Sequence, residues 1–453
     1  MSCAQRSPTR VHVVAWSCGL LVVSVFSVFD PVAGQPFHGP FVAVGDSITQ
    51  GVQAGDANVR TQPHTYASIL ARQLGVRLRL PLIETSPFGV VGAVGEQRWT
   101  QRSRLHPRVR GHNLAVSGAD TESIWDERAD ALAVAEIDNE TELVLFPRLG
   151  AQLDVLEALR PGLVVAWIGN NDVLSAVLSF DEYDASQMTS AEDFQANMSR
   201  IVRRLAALEA PVVMANIPSV TAIPFLFDGN DLQAFLGTDL GLPDGSATSL
   251  PVALLQRVGL GDGLIDDPNF VLDPGELAAI EARVETFNQI ISTTAGAAGI
   301  PVVDINETFD ALIAEPLTVD GRPITVGFLS GLLSLDAVHP SNTGHALIAN
   351  AFIDRLNAEY GFDIAPLTDQ AIAEIARADP HWDADGDGVV PGRPLAGAIE
   401  TLAPLLGLAG DRQVDAAAAR SALWALAAEG DPRSAGPLDA DMAVRVFRRL
   451  YQP

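Results

Sequence analysis

The chain has 453 residues, enough for two or three domains and a large buried core, and with 48% apolar and 19% charged residues it reads as globular, not disordered. Its 29 basic residues against 56 acidic ones leave a net charge of −27, which repels nucleic-acid backbones and argues against nucleic acid as a partner. All 29 basic residues are arginine, and the two cysteines, Cys3 and Cys18, both lie in the N-terminal segment, so lysine chemistry is excluded and a processed chain has no thiol.

In chain order, Arg6 and Arg10 precede a largely apolar run, Val11 to Phe29, followed by Pro31-Val32-Ala33-Gly34-Gln35. A positive start, an apolar middle and small residues before a cut describe a secretory signal over 1–34, cleaved near Ala33 or Gly34. The run is nearly long enough to span a bilayer, so an uncleaved anchor is the alternative, and either way the protein is expected to be secreted, periplasmic or held at the cell surface. Five strand-like runs follow: Phe41–Val44, His112–Val116, Leu163–Ile168, Val212–Asn216 and Pro301–Ile305. Mostly apolar runs suit strands buried on both faces of a parallel sheet. Helical patterns lie between them, at Tyr66 to Leu74, Phe194 to Leu208 and Leu277 to Ile291. The last has Asp273 as N-cap, Pro274 at the first helical position and Glu276 completing a capping box. Alternating strands and helices predict a three-layer α/β/α domain with a five-stranded parallel sheet, its site at the carboxyl ends of the strands.

The chemistry falls at those ends. The first run leads into Gly45-Asp46-Ser47, the second into Ser117-Gly118, the third into Gly169-Asn170-Asn171-Asp172, and past the fifth comes Asp336-Ala337-Val338-His339-Pro340. A serine, a glycine amide, an asparagine and an Asp/His pair are the parts of a serine acyl-transfer site. Gly-x-Ser-x-Gly is absent around Ser47, which argues against an α/β-hydrolase elbow. Taken singly, Ser47 would serve as an ordinary helix cap and His339 as a surface histidine; it is their coincidence that carries the catalytic reading. A zinc site built on His339 and His345 lacks a third ligand.

These four blocks, in order over about 300 residues from Phe41 to Gly361, resemble the SGNH (GDSL) hydrolase family, with Ile48 where the first block usually has Leu. The resemblance implies a flavodoxin-like fold and a carboxylic ester hydrolase of lipase/esterase type. It makes Ser47 the nucleophile, His339 the base and Asp336 its orienting acid, with the N–H groups of Ser47 and Gly118 and the Asn171 amide as oxyanion hole. Asn170 is the ambiguous neighbour; the Gly-x-Asn-Asp register selects Asn171. No cofactor is required for this chemistry, and the substrate is expected to be a small-molecule, lipid or acylated-glycan ester. A polysaccharide or peptidoglycan O-acetyl esterase or acyltransferase, and a non-catalytic calcium-dependent surface module, are the alternatives.

Three features bear on substrate and partners. Arg98, Arg102, Arg104, Arg108 and Arg110 form a basic stretch free of acids, either a solvated loop or a partner for the acidic surface, or else a binder of anionic head groups or acidic polysaccharide at a membrane or cell surface. After the fourth run, a Gly/Asp-rich insertion from Asp228 to Asp267 is either a lid or a satellite core. Beyond Gly361 the chain becomes Ala-, Leu- and Asp-rich, giving a helical region over 362–453 with helices expected near Leu367–Ala378, Leu395–Leu406, Val414–Ala428 and Asp439–Leu450. Within it Asp383, Asp385 and Asp387 resemble a calcium loop of EF-hand or dockerin type, but Pro394 stands where a final acidic ligand belongs.

Overall fold

The strand-like runs are apolar on both sides, and two separate cores result. A computed structural model describes residues 37–85, 103–391, 403, 405–409 and 414–427, all within one compact unit, Gln35–Pro453. The expected signal, Arg98 and Arg102, Pro394 and the second and fourth of the expected C-terminal helices, Leu395–Leu406 (apart from 403, 405 and 406) and Asp439–Leu450, lie outside the described residues. Strand β1 (Phe41–Gly45) leads into the four-residue helix α1 (Ser47–Gln50), then α2 (Tyr66–Gln73), α3 (Glu140–Leu145) and α4 (Gln152–Leu159). Strand β2 (Leu163–Trp167) is followed by α5 (Asn171–Leu178) and α6 (Ala191–Ala206), and β3 (Val212–Ala215) by an insertion holding β4 (Leu226–Phe227), α7 (Gly229–Leu236), β5 (Ala247–Ser249), α8 (Leu250–Arg257) and β6 (Val271–Leu272). Helix α9 (Pro274–Ala297), strand β7 (Val302–Val303), helix α10 (Ile305–Ala314), a small hairpin, and helices α11 (Asn342–Tyr360), α12 (Asp369–Ala378) and α13 (Ala416–Ala427) complete it.

The main sheet is parallel in the order β1-β2-β3-β7, with Phe41 opposite Leu163, Val164 opposite Val212 and Met214 opposite Val302. Alternate residues serve opposite faces, as the pleat requires. Val42, Val44, Val164, Ala166 and Met214 join one core with α4, α5, α6 and α9, while Phe41, Ala43, Leu163, Val165 and Trp167 join the other with α2 and α11. This is the expected α/β/α arrangement.

The strand count differs from expectation. The run His112–Val116 lies beside β1, with Ala43 N–H donating to His112, and Leu114 and Val116 N–H donating to Ala43 and Gly45, yet it forms a single bridge, Ala43 to Asn113. Asn113 explains this: its side chain accepts from Ala115 N–H at 3.1 Å and donates to the Thr49 carbonyl at 2.6 Å, a local bond that competes with extended pairing. The sheet therefore has four strands and a bonded edge segment.

The insertion packs into the main core and, among the described residues, forms no satellite core of its own. It builds a three-stranded antiparallel sheet, β4-β5-β6, and α8 buries Leu250, Val252, Ala253, Leu254 and Leu255 in the main cluster. Helix α9 carries the expected capping box: Asp273 accepts from Gly275 and Glu276 N–H, and Glu276 accepts from Asp273 N–H at 2.8 Å. Among the described residues no helix is long and apolar enough to cross a membrane.

Candidate active site

The turn after β1 is fixed before any chemistry is considered. Gly45 has a φ of +151°, and a Cβ there would lie 2.2 Å from the Trp167 carbonyl oxygen, so only glycine fits. Gln152 of α4 grips this glycine from below, accepting from its N–H at 3.1 Å and donating to its carbonyl at 3.0 Å. Asp46 then caps α1 by accepting from Ile48 N–H at 3.0 Å. Ser47 is therefore the first residue of a helix whose initial N–H groups have no partner within the helix.

Asp336 and His339 meet it from the other end of the chain. His339 Nε2 lies 2.8 Å from Ser47 Oγ, and His339 Nδ1 lies 2.8 Å from Asp336 Oδ2. Asp336 is buried and saturated: it accepts from Ser334 Oγ, Val338 N–H, His339 N–H and Gly55 N–H, all at 3.0 Å or less. Ala337 sits between them at a φ of +62°, an uncommon conformation for alanine that closes the turn. Burial alone would raise the Asp336 carboxyl, but the His339 ring beside it and the N–H groups of His339 and Val338 outweigh burial and hold it well below the usual carboxylate range.

The loop around Gly118 is hydrogen-bonded both to α1, through Gln50, and to Asn171. Among the described residues the N–H groups of Ser47 and Gly118 donate to no protein acceptor. Gly118 has a φ of +80°, a left-handed conformation that suits glycine. Gln50 positions this loop by accepting from Ser117 N–H at 2.7 Å. Asn171, at the start of α5, donates one amide hydrogen to the Ala119 carbonyl at 2.7 Å, and among the described residues the second hydrogen of that amide has no acceptor. Its neighbour Asn170 does something different: its amide donates to Asp46 Oδ2 at 2.7 Å and ties the serine turn to the end of β2.

Asp46, Gln50, Gln152 and Asn170 are the site residues whose roles sequence reasoning missed. Burial pushes Asp46 up to about 6, against the lowering effect of the Asn170 amide and Ile48 N–H. Burial likewise pushes Asp172 up to about 7, although it accepts from Thr121 N–H at 2.9 Å and Thr121 Oγ1 at 2.6 Å.

His345 belongs to the core of α11. Its Nδ1 accepts from Tyr66 N–H at 3.3 Å, and burial, with His339 and His64 nearby, drives its pKa down to about 3. Among the described residues the one cluster of three possible metal ligands is Asp383, Asp385 and Asp387, whose oxygens approach within 4.8 Å of one another. Both oxygens of Asp383 already accept N–H groups, from Gly386, Asp387 and Gly388, and the Arg322 guanidinium donates to the Asp385 carbonyl. Calcium takes six to eight oxygens, and among the described residues this cluster supplies three carboxylates, with the neighbouring Asp385 carbonyl already accepting from Arg322. The groove nearest the insertion has a volume of about 1040 Å³ and is lined by Phe227, Phe235 and Phe328 with Asp228 and Asp383 among its polar walls.

The sequence profile of the GDSL-like lipase/acylhydrolase family matches residues 41–352, a span that brackets Ser47 and His339. A comparison with curated proteins finds no match. Among solved structures, the chain is similar to an alpha/beta hydrolase enzyme from the metagenome of Lake Arreo, Spain, at 16% identity, 71% of this chain and 97% of that one, with a TM-score of 0.36. It is also similar to an acetylxylan esterase from Geobacillus stearothermophilus (15% identity, 72% and 96% covered, TM-score 0.34). A third similar structure is the lipase/acylhydrolase from Enterococcus faecalis (12% identity, 73% and 99% covered, TM-score 0.32).

Proposed function

The chain belongs to the GDSL-like lipase/acylhydrolase family and is a carboxylic ester hydrolase, and from that premise we propose that it is an exported serine esterase working through Ser47, His339 and Asp336. The observation that carries the reading is the unbroken chain from Ser47 Oγ to His339 Nε2, and from His339 Nδ1 to Asp336, each link 2.8 Å long. Ser47 Oγ attacks the ester carbonyl carbon while its proton passes to His339 Nε2. The tetrahedral oxyanion accepts hydrogen bonds from Ser47 N–H, Gly118 N–H and the unengaged Asn171 hydrogen, donors fixed before substrate arrives. Collapse expels the alcohol, which takes the proton from His339 and leaves an acyl group on Ser47. Water, deprotonated by His339, then releases the acid and regenerates the serine.

Asp336 stays ionised throughout, because its surroundings hold it below the usual carboxylate range, and it stabilises the imidazolium formed in each half-reaction. Nucleophile, base and oxyanion donors are all side chains or backbone of this chain, so the proposed cycle needs no cofactor. The substrate class is a small-molecule or glycan-borne carboxylic ester. Export rests on Arg6, Arg10, the apolar run Val11 to Phe29 and the small residues that follow it.

The test is hydrolysis of a p-nitrophenyl ester ladder from acetate to palmitate by the purified chain, beside Ser47→Ala and Asp336→Asn. Ser47→Ala and Asp336→Asn should each lower kcat by about 10⁴-fold or more, with the far-ultraviolet circular dichroism unchanged. Activity of Ser47→Ala within about tenfold of the parent would remove Ser47 as nucleophile. The chain-length optimum separates a lipid-type substrate from a short-acyl one.

A further inference from the structure

We propose that the face built from residues 77–84, 103–112 and 144–149 docks on the surface of an anionic lipid bilayer. Three segments far apart in sequence are stitched together there. Arg104 is buried and donates to the Val144, Phe146 and Val109 carbonyls. Arg148 donates to the Gly111 carbonyl at 2.6 Å, and His112 N–H donates to the Arg79 carbonyl at 2.6 Å. With Arg104 and Arg148 serving as staples, the outer surface carries Arg77, Arg79, Arg108 and Arg110, all exposed.

The charges lie close enough to feel one another. Burial and then Arg79, Arg148 and Arg77 push His112 down to about 4, and burial and then Arg110 and Arg79 push Arg148 down to about 10. Among the described residues none of these arginines has a carboxylate within ion-pair distance, whereas Arg128, Arg204, Arg355 and Arg377 elsewhere do. In a chain of net charge −27, four exposed arginines with no ion-pair partner among the described residues outweigh the one exposed carboxylate of this face, Glu84, which accepts from Ser103 Oγ, and such a net positive face suits an anionic partner.

The aliphatic residues identify that partner. Leu105 is 44% exposed, Val109 37% and Leu149 53%, and all three lie in the loops that carry Arg108, Arg110 and Arg148. Cations by themselves would serve any polyanion, an acidic polysaccharide included; exposed aliphatics among them suit a partner with an apolar layer beneath its charges. Arginine interleaved with exposed aliphatic side chains is the composition of an interfacial membrane surface, where the cations meet headgroups and the aliphatics enter the acyl boundary. The face borders β1 on the edge of the sheet away from β7, so it is remote from α10.

The experiment uses the full chain with Cys3→Ser and Cys18→Ser, carrying an environment-sensitive fluorophore at Leu149→Cys, or at Leu105→Cys should the first variant fail to fold. A label at Ile313→Cys in α10 is the control. Hydrolysis of a soluble short-chain ester checks that each labelled protein is native; where that activity is absent from the parent too, circular dichroism serves instead, so a failure of the esterase reading does not touch this test. The N-terminal apolar run, with Arg6 and Arg10 before it, is present in every sample, so the difference between the parent and the arginine variants of the face, which leave that segment unchanged, isolates the face's own contribution. Emission from residue 149 should shift to the blue on phosphatidylcholine/phosphatidylglycerol vesicles and not on phosphatidylcholine alone, with no shift at residue 313. The shift should reverse in about 0.5 M NaCl, where screening acts over a few ångströms. In Arg79→Ala/Arg108→Ala/Arg110→Ala, the lipid needed for a half-maximal shift should rise by about fivefold for each arginine removed. An equal response to both vesicle types, or a response indifferent to the arginines, overturns the proposal. Arginine-dependent retention on polygalacturonate with no vesicle response would assign the face to a polysaccharide and overturn it as well.

Discussion

Asn171 and Asn170 are adjacent amides with separate duties, and substitution should separate them. Asn171 keeps one hydrogen free beside Gly118, so Asn171→Ala should lower kcat by about 100- to 1,000-fold with little change in KM or stability. Asn170 supports Asp46, and Asn170→Ala should instead lower the unfolding free energy by about 1–3 kcal/mol, since a buried carboxyl loses a donor. Steady-state kinetics beside urea titration checks both; reversed effects would place Asn170 in the oxyanion hole. Ser47 was legible in the sequence because it follows directly on a strand-like run, whereas Asp336 and His339, separated from the fifth run by a helix and a hairpin, were picked out by their resemblance to the family's last block. Asp46, Gln50 and Gln152 were not, because a buried amide or acid announces itself only through its partner. Those partners lie 107 residues away for Gln152, 67 for Gln50 and 124 for Asp46.

Helix α1 has four residues, too few to persist without outside support. Its support comes from Gln152 on Gly45, Asn113 on the Thr49 carbonyl, Tyr66 against Thr49 Oγ1 at 2.9 Å, and Gln50 bridging Ser117 to Glu140. Gln50→Ala frees the loop that carries Gly118 without touching Ser47 or His339. It should therefore lower kcat by about 10- to 100-fold while the fold persists, as expected when an oxyanion donor drifts by a fraction of an ångström to an ångström. An unchanged kcat would show that the loop holds itself. The elements after Gly361 act at the same scale on His339. Asp379 accepts from Thr343 N–H and Oγ1 at the start of α11, and Trp382 pairs with Ser330 while Asp383 N–H donates to the Leu329 carbonyl. These bonds brace the loop that leads to Asp336, so ending the chain at Gly361 should lower the melting temperature and the activity together. A truncated chain with parental kcat and melting temperature would make the tail dispensable. Strands, long helices and the capping box at Asp273 were readable from periodicity. The edge segment at His112 and the packing of the insertion were not, since both are decided by tertiary hydrogen bonds and burial, not by local pattern.

For the molecule as a whole, the site concentrates three buried carboxyls whose affinities for protons are pulled in opposite directions, and this sets how stability responds to pH. Asp46 and Asp172 start from an ordinary value of 3.8 and are raised by burial to about 6 and about 7 in the folded chain. Between about pH 4 and pH 7 the folded state therefore binds more protons than the unfolded state, and the unfolding free energy falls as pH rises through that window. The displacement of Asp172 alone corresponds to about 4 kcal/mol, reduced in practice by whatever water reaches the site when the carboxyl ionises. Asp336 acts the other way: its lowered value adds stability that is present above the ordinary carboxylate range and is lost as pH falls below it. Together they place the stability maximum at the bottom of that window, at about pH 4, with a decline toward pH 7.5, in the same direction as the self-repulsion of a net charge of −27. Urea midpoints between about pH 4.5 and pH 7.5 measure this. The decline attributable to the site should be smaller in Asp172→Asn, which cannot ionise, while the contribution of net charge persists in the variant and weakens in salt. A midpoint that rises steadily from pH 5 to pH 7.5 would mean that Asp46 and Asp172 are ionised in the folded protein, with their hydrogen bonds to Asn170, Ile48 and Thr121 outweighing burial.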